Sequence, residues 1–154
     1  MPQIISSTPV PKPFTYGSLC SGIEAATVAW HPLGWKPAFF SASDPFASAV
    51  LAHHWPDVRN LGDMTKHKDW NHAHLDLLVA GTPCQAFSVA GLRKGLEDAR
   101  GNLTLTFIDI ANQYDPDWIV WENVPGVLSS KDNAFGCFLG GLAGDDCAME
   151  PGPR

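Results

Sequence analysis

The sequence predicts an α/β domain in which a mostly parallel sheet is flanked by helices. Two short apolar runs, at 75–80 and 117–121, are each bounded by turn residues, as is typical of buried parallel strands. The segment at 16–26 has the order strand, tight turn and helix start that is typical of a ligand-binding loop. With 154 residues, of which 45% are hydrophobic and 17% are charged, the chain fits one folded domain.

The first half of the chain alternates between predicted strands and helices. Pro32 ends the first helix, because proline cannot continue one, whereas Pro45 fits the first turn of the second helix, where its missing N–H is not needed. The predicted elements are strands at 14–20, 36–41 and 58–61, helices at 22–30 and 45–54, and a helical or irregular polar segment at 66–74.

The second half continues this alternation. A helix that Asn102 can cap, and that runs to about Tyr114, lies between the two apolar strands, and a further helix is predicted at 133–142. We therefore expect a flexible arm at 1–13, a domain at 14–143 and a tail at 144–154.

The charge distribution is unusual for a protein that binds DNA. The formal net charge is −6, whereas neutralisation of phosphates by basic residues supplies most non-specific affinity for DNA. However, Arg93, Lys94 and Arg100 all lie in the loop that follows Cys84. A DNA backbone would pass along this loop if Cys84 acted on a base; otherwise the loop is an ordinary solvated one.

Cysteine spacing and hydropathy indicate a cytoplasmic protein. No two of the four cysteines have the CxxC spacing, which argues against a zinc site and against a disulfide framework. The histidines lack partnering thiols or carboxylates in the sequence, so we expect no bound metal. No apolar run reaches the roughly 20 residues that a membrane helix needs. The amino terminus also has no charged apolar leader, so we expect no membrane association.

Each of the two apolar strands is followed by a residue suited to catalysis. Cys84 comes shortly after the first strand, and Glu122 directly after the second. Because the carboxyl ends of parallel strands meet at one edge of a sheet, and one crossover helix fits between them, we expect Cys84 and Glu122 at neighbouring strand ends. Taken alone, a cysteine in this position can also be a small residue that fills space.

These motifs, in this order, resemble the cytosine-5 DNA methyltransferase family. The resemblance covers about residues 14 to 130. The matching motifs are the loop at 21–23, Gly62 with Asp63, the segment 81–88 around Cys84, the segment 98–103, and Glu122 with Asn123 and Val124.

The resemblance implies a Rossmann-like fold that binds S-adenosylmethionine together with a cytosine flipped out of DNA. It makes Cys84 the thiolate that adds to carbon 6 of the cytosine and Glu122 the protonated carboxyl group that donates to the ring. The implied cofactor residues are Cys20, Gly22, Ile23, Asp63, Met64 and Leu103. The implied DNA-binding residues are Pro83, Gln85, Ser88, Arg100 and Asn123.

The sequence departs from the family at two points. Ala42 stands where the family has a glutamate that binds the ribose, which predicts weakened cofactor binding. The sequence also has no counterpart of the family's C-terminal half, which contains a later arginine-containing motif, a target-recognition region and a C-terminal segment. We therefore expect a truncated catalytic domain that needs a second chain to supply the missing half. The alternatives are an inactive remnant or a non-enzymatic interaction module. A thiol-dependent hydrolase is disfavoured, because all six histidines precede Cys84 and none lies at a predicted strand end.

Overall fold

The computed structural model describes residues 12–71, 73–83, 103–131, 133–145 and 147–150. The strands are β1 (Thr15–Leu19), β2 (Lys36–Ser41), β3 (Leu77–Gly81) and β4 (Trp118–Glu122), and the α-helices are α1 (Ala25–Trp30), α2 (Pro45–His54), α3 (Leu103–Tyr114) and α4 (Ala134–Leu142). Short 3-10 helices lie at His31–Leu33, Met64–Asp69 and Pro125–Ser129. Most predicted elements are confirmed to within two residues, and the strand at 36–41 and the helix at 45–54 have the predicted bounds.

The four strands form one parallel sheet with the order β2-β1-β3-β4. Strands β3 and β4 are neighbours, and α3 connects them, as the spacing of the two apolar runs predicts. Their carboxyl ends lie side by side, because Ala80 pairs with Trp121 and Gly81 with Glu122. The α/β architecture predicted from the sequence is therefore confirmed.

One face of the sheet packs against α3 and α4 and forms the main core. Leu78 and Ala80 of β3 belong to this core together with Phe107 of α3 and Phe138 of α4. Trp121 of β4 stacks on Phe138, with ring centroids 3.9 Å apart. Since alternate residues of a strand point to opposite faces, Trp118 and Val120 of β4 lie on the other face of the sheet.

The first helix lies over the other face of the sheet, next to β1 and β2. Tyr16 and Ser18 of β1 are buried there, and their side chains hydrogen-bond Thr27 and Glu24, respectively. The helix begins at Ala25 rather than at the predicted residue 22. Gly22 and Glu24 have φ angles of 53° and 68°, in the left-handed region, so the chain turns at both residues and cannot yet be helical.

The predicted strand at 58–61 is wrong, since only one parallel bridge forms, between Phe40 and Asn60. The side chain of Asn60 bonds both the N–H and the C=O of Ala42, and Gly62 follows with a φ of 75° that turns the chain away. Side-chain hydrogen bonds thus replace a backbone ladder here.

Most of the predicted arm and the residues from Cys84 to Asn102 lie outside the described residues. None of the helices in the described ranges is long and apolar enough to cross a membrane.

Candidate functional site

The carboxyl ends of β3 and β4 form the centre of the candidate site. After β3, the described residues end at Pro83 and resume at Leu103. The gap contains the predicted nucleophile Cys84 and the predicted DNA-binding residues Gln85, Ser88 and Arg100. Glu122 ends β4 with an exposed side chain on the face opposite the main core. A Cβ atom added at Gly81 would lie 3.2 Å from Oε2 of Glu122, so the glycine leaves room beside the carboxylate.

A hydrogen-bonded threonine ties the two strand ends together. The hydroxyl group of Thr82, which is buried, accepts from Nε1 of Trp121 at 2.8 Å and lies 3.1 Å from the hydroxyl oxygen of Thr104 in α3. The side chain of Asn123 donates from Nδ2 to the carbonyl oxygen of Thr82 at 3.1 Å. The segment that leads to Cys84 is thus bonded to the residues on both sides of Glu122.

Sequence reasoning missed Thr82 and Trp121 as parts of this site. Trp121 is 39 positions away along the chain, so its bond to Thr82 leaves no local pattern in the sequence. The only signal was a threonine directly after a strand and a tryptophan directly before Glu122. The resemblance implies that Asn123 contacts DNA. In the structure its side chain bonds Thr82 and its own neighbour, because Nδ2 donates to the carbonyl oxygen of Thr82 and Oδ1 accepts from the N–H of Val124.

A cleft opens next to these strand ends, between the tips of β1 and β2 and the start of α3. Four of the six predicted cofactor residues line it, namely Cys20, Asp63, Met64 and Leu103. Gly22 and Ile23, the other two, lie in the exposed turn after β1. The remaining lining residues are Ser41, Ala42, Ser43 and Gly62.

Apolar and sulfur-containing side chains form one wall of the cleft. Sγ of Cys20 lies 3.5 Å from Sδ of Met64. Burial raises the pKa of the Cys20 thiol, which keeps it protonated at neutral pH and makes it a lining group rather than a nucleophile. With Leu103 nearby, this wall suits the flat face of a purine ring.

Asp63 is the acidic side chain among the residues that line the cleft. Its Oδ1 atom accepts from the backbone N–H and the hydroxyl group of Thr65, at 2.9 and 2.8 Å, and so caps the 3-10 helix that follows. Because these two bonds use Oδ1, capping is compatible with a ligand at Oδ2.

The cleft is also lined by Ala42 and the two serines beside it, and the carboxylate that the resemblance implies at position 42 is absent. Ala42 is 8% exposed and its backbone is fixed by Asn60, while Ser41 donates its hydroxyl to the carbonyl of Gly62. The next acid along the chain, Asp44, accepts from the N–H of Ala47 and caps α2. Asp44 is also absent from the residues that line the cleft, so it does not replace a carboxylate at position 42.

The turn after β1 is held by a buried glutamate that the sequence did not single out. Glu24 is 1% exposed and accepts from the hydroxyl of Ser18 at 2.8 Å and from the backbone N–H of Thr27 at 3.1 Å. Burial raises the pKa of the Glu24 carboxyl group, against the opposing effect of these hydrogen bonds. The turn is also tied to β2, because the hydroxyl oxygen of Ser21 accepts from the N–H of Ser41.

A group of possible metal ligands lies at the opposite, amino-terminal edge of the sheet. His74, Asp76 and Asp117 have ligand atoms within 4.8 Å of one another, just before β3 and β4. Asp76 is engaged by the backbone N–H and the hydroxyl group of Thr15. This group is separate from the cleft and from Glu122.

Comparison with known proteins gives a family match over most of the chain. The family model for C-5 cytosine-specific DNA methylases matches residues 14–142. Type II methyltransferase M.HpaII of Haemophilus parainfluenzae is 37% identical over 74% of this chain and 32% of its own length. Type II methyltransferase M.AquIA of a Picosynechococcus strain is 34% identical over 77% of this chain and 52% of its own length.

A relative with a different named activity is more similar in sequence. A protein of Escherichia phage P1, named DNA N-6-adenine-methyltransferase, is 60% identical over 93% of this chain, a match that spans 21% of the phage protein. The chain thus spans between about a fifth and a half of the length of these curated relatives.

A solved structure shares the fold. It belongs to a protein described as a DNA modification methyltransferase, encoded in a prophage of Escherichia coli, and aligns with a TM-score of 0.65 at 22% identity. The alignment covers 86% of this chain and 38% of the other, and it supports the Rossmann-like α/β fold. The chain belongs to the C-5 cytosine-specific DNA methylase family.

Proposed function

We propose that this chain carries the catalytic and cofactor-binding part of a DNA cytosine-5 methyltransferase. The observation that carries the proposal is the pairing of Gly81 with Glu122, reinforced by the bonds of Thr82 to Trp121 and Asn123. Since Cys84 follows Pro83 directly, this pairing supports a thiol and a carboxyl group at one edge of the sheet. The cleft beside them supports a nucleoside cofactor at the same edge.

The proposed chemistry activates carbon 5 of cytosine by addition at carbon 6. The thiolate of Cys84 adds to carbon 6, while the protonated carboxyl group of Glu122 donates its proton to the ring nitrogen, N3, so that the ring becomes an enamine. Bound S-adenosylmethionine would supply the methyl group that carbon 5 receives. A base then removes the proton from carbon 5, the electron pair re-forms the 5,6 double bond, and the thiolate of Cys84 leaves. The proton on N3 returns to the carboxylate of Glu122, which restores the neutral ring.

The cleft residues fit the adenosine part of this cofactor. Met64, Leu103 and Cys20 offer an apolar surface to the adenine, and Asp63 offers an acceptor for its exocyclic amine. Gly22 and Ile23 lie in the turn where backbone N–H groups suit a carboxylate. Because Ala42 supplies no carboxylate for the ribose, we expect weaker binding than in relatives with a glutamate there.

DNA is the proposed partner, with the target cytosine flipped out of the duplex. Pro83 and Asn123, with Gln85, Ser88 and Arg100 outside the described residues, are the proposed contacts. A second polypeptide region that supplies target recognition is also proposed, since the match to this chain spans only 21% of the phage P1 protein and 52% of M.AquIA. The proposed setting is restriction-modification in the cytoplasm of a bacterium or a phage-infected cell.

The product distinguishes this proposal from the adenine chemistry named for the phage P1 relative. The chain is mixed with the remainder of that phage protein, DNA and S-adenosylmethionine carrying a labelled methyl group, and the digested nucleosides are analysed by mass spectrometry. We expect labelled 5-methylcytosine, and its loss with Cys84→Ser. Labelled N6-methyladenine that persists in Cys84→Ser, with no 5-methylcytosine, would refute the proposal.

A non-enzymatic interaction module is the second candidate, favoured by the missing carboxylate at Ala42. Isothermal titration calorimetry with S-adenosylmethionine separates the two. Micromolar binding that is weakened by Asp63→Ala argues for the enzyme, whereas no binding at millimolar cofactor argues for the module.

A further inference from the structure

A buried histidine joins the 3-10 helix at Met64–Asp69 to α3. His67 is 4% exposed, and both nitrogen atoms of its ring face oxygen atoms of α3. Nε2 lies 2.9 Å from Oδ2 of Asp109, and Nδ1 lies 2.7 Å from Oε1 of Gln113. Asp109 and Gln113 are four positions apart, so their side chains leave the same face of α3. We call His67, Asp109 and Gln113 the His67 brace.

The backbone of the same segment is fastened to α3 as well. Nε2 of Gln113 donates to the carbonyl oxygen of His67 at 3.3 Å, and the hydroxyl group of Tyr114 donates to the carbonyl oxygen of Asn71 at 3.1 Å. The N–H of Trp70 also donates to the carbonyl oxygen of His67, at 2.9 Å, which ends the 3-10 helix. The brace therefore holds both the side chain and the main chain of this segment.

His67 is the polar member of an otherwise apolar row. Because a 3-10 helix has three residues per turn, Met64, His67 and Trp70 follow one another along one side, and all three are buried. Met64 lines the cleft, while Trp70 packs against Phe39 with ring centroids 5.7 Å apart. An apolar residue between them would be cheaper to bury than an imidazole ring. What the histidine adds is a pair of directional bonds to α3.

The two elements that the brace joins both begin at the cleft. The 3-10 helix starts at Met64, directly after its cap Asp63, and α3 starts at Leu103, and these three side chains all line the cleft. His67 lies one turn along the 3-10 helix, and Asp109 lies less than two turns along α3. A rotation of the 3-10 helix would move Asp63 and Met64 relative to Leu103, and the brace opposes that rotation.

We propose that His67 is a positioning residue for the adenine end of the cofactor. Through Asp109 and Gln113 it holds the 3-10 helix in the orientation that points Asp63 at the exocyclic amine. The inference rests on the cofactor part of the proposed function and adds a residue that does not touch the cofactor. A hydrogen bond to the amine depends on distance and angle, whereas apolar contact with the ring is not directional. Loss of the brace should therefore cost recognition of the amine first.

The test measures a ratio of two affinities. S-adenosylhomocysteine, the product of the proposed methyl transfer, is compared by calorimetry with S-inosylhomocysteine, in which a carbonyl oxygen replaces the exocyclic amine. Both ligands are titrated into the unchanged chain, His67→Phe and Asp109→Ala. A partly unfolded variant binds both ligands more weakly in the same proportion, so the ratio reports positioning and not stability. Cys137→Ala, at a buried position of α4 that does not line the cleft, is the control for destabilisation.

We expect the unchanged chain to prefer S-adenosylhomocysteine by about tenfold or more, because the bond from the amine to the Asp63 carboxylate is lost in the other ligand. In His67→Phe and Asp109→Ala the preference should fall below about threefold, since neither variant keeps the bond at Nε2. Cys137→Ala should keep the preference of the unchanged chain. Asp109→Asn should also keep it, because its amide oxygen still accepts from His67.

The outcomes separate this inference from the proposed function. An undiminished preference in His67→Phe and Asp109→Ala would overturn the inference alone, and so would equal binding of the two ligands by the unchanged chain. If circular dichroism shows that His67→Phe is unfolded, Asp109→Ala decides, because the side chain of Asp109 is 23% exposed and its loss is milder. If the unchanged chain binds neither ligand at millimolar concentration, the inference falls together with the proposed cofactor cleft.

Discussion

Gly81 and Glu122 are paired in register at the ends of two adjacent parallel strands, and a Cβ atom at position 81 would come within 3.2 Å of the carboxylate oxygen Oε2 of Glu122. Strand neighbours lie about 4.8 Å apart, so this pairing brings the chain that leads to Cys84 next to the carboxyl group. The relationship follows from two apolar runs separated by one helix. It positions the proposed thiol and acid through the backbone of the two strands.

Gly81→Ala should slow the proposed reaction while the fold is kept. The added methyl group would crowd Oε2 of Glu122, and we expect the rate of cytosine methylation by the assembled mixture to fall by about tenfold, as misplacement of catalytic groups commonly does. Gly126→Ala is the matched control, because its added Cβ would find its nearest neighbour at 3.9 Å. Equal rates for the two variants would show that the space beside Glu122 is unimportant.

Thr82→Val should destabilise the chain. The substitution keeps the size of the side chain but removes the buried oxygen that accepts from Nε1 of Trp121, and it leaves the indole N–H without that partner. We expect the free energy of unfolding, measured with urea, to fall by about 1–3 kcal/mol. Ser129→Ala removes an exposed hydroxyl group and should change it by less than about 0.5 kcal/mol. A loss from Thr82→Val no larger than this control would contradict the tie between the strand ends.

Glu24 should make stability depend on pH. Burial raises the pKa of this carboxyl group in the folded chain, so the folded state holds the proton more tightly than the unfolded state does. Its contribution is therefore fully present below the pKa of the unfolded chain, about 4.3, and is lost as the pH rises through the higher folded value. In urea unfolding across this range, the stability of Glu24→Gln relative to the unchanged chain should increase with pH. A difference that is constant with pH would contradict the assignment.

Ala42→Glu should strengthen the binding of S-adenosylmethionine. Ala42 lines the cleft between hydroxyl-bearing neighbours, and a carboxylate there would accept hydrogen bonds from the ribose. We expect calorimetry to show an affinity about tenfold higher, and no such gain for Ala29→Glu, which adds the same charge at an exposed position of α1. Equal or weaker binding by Ala42→Glu would place the ribose elsewhere.

Apolar runs, and the turn residues and prolines that bound them, predicted the parts of the fold that depend on local patterns. The buried strands were visible because apolar runs such as that at 75–80 end at turn residues, and Pro45 marked the start of α2 correctly. The prediction of a strand at 58–61 was wrong because the side chain of Asn60 makes the hydrogen bonds to Ala42 that a backbone ladder would otherwise make. That outcome depends on Ala42, which is 18 residues away and gives no local signal.

The positions of candidate residues were predictable where a residue type and a strand end coincide, as for Glu122, and where the resemblance supplied a place in the cleft, as for Asp63 and Leu103. The contacts that hold the neighbouring residues in place were not predictable. Glu24 was not singled out from the sequence, yet it is buried because its turn is left-handed and Ser18 and Thr27 surround its carboxyl group. Such contacts are set by tertiary packing, which composition and spacing do not encode.

Covalent trapping tests the central claim most directly. The chain is incubated with the remainder of the phage P1 protein, S-adenosylmethionine and DNA that contains 5-fluorocytosine, whose fluorine cannot leave as a proton does. The digested protein is then analysed by mass spectrometry. We expect a nucleotide adduct on the peptide that contains Cys84, absent when Cys84→Ser replaces the unchanged chain. Methylation of DNA with no adduct at Cys84, or an adduct at Cys20 instead, would contradict the claim.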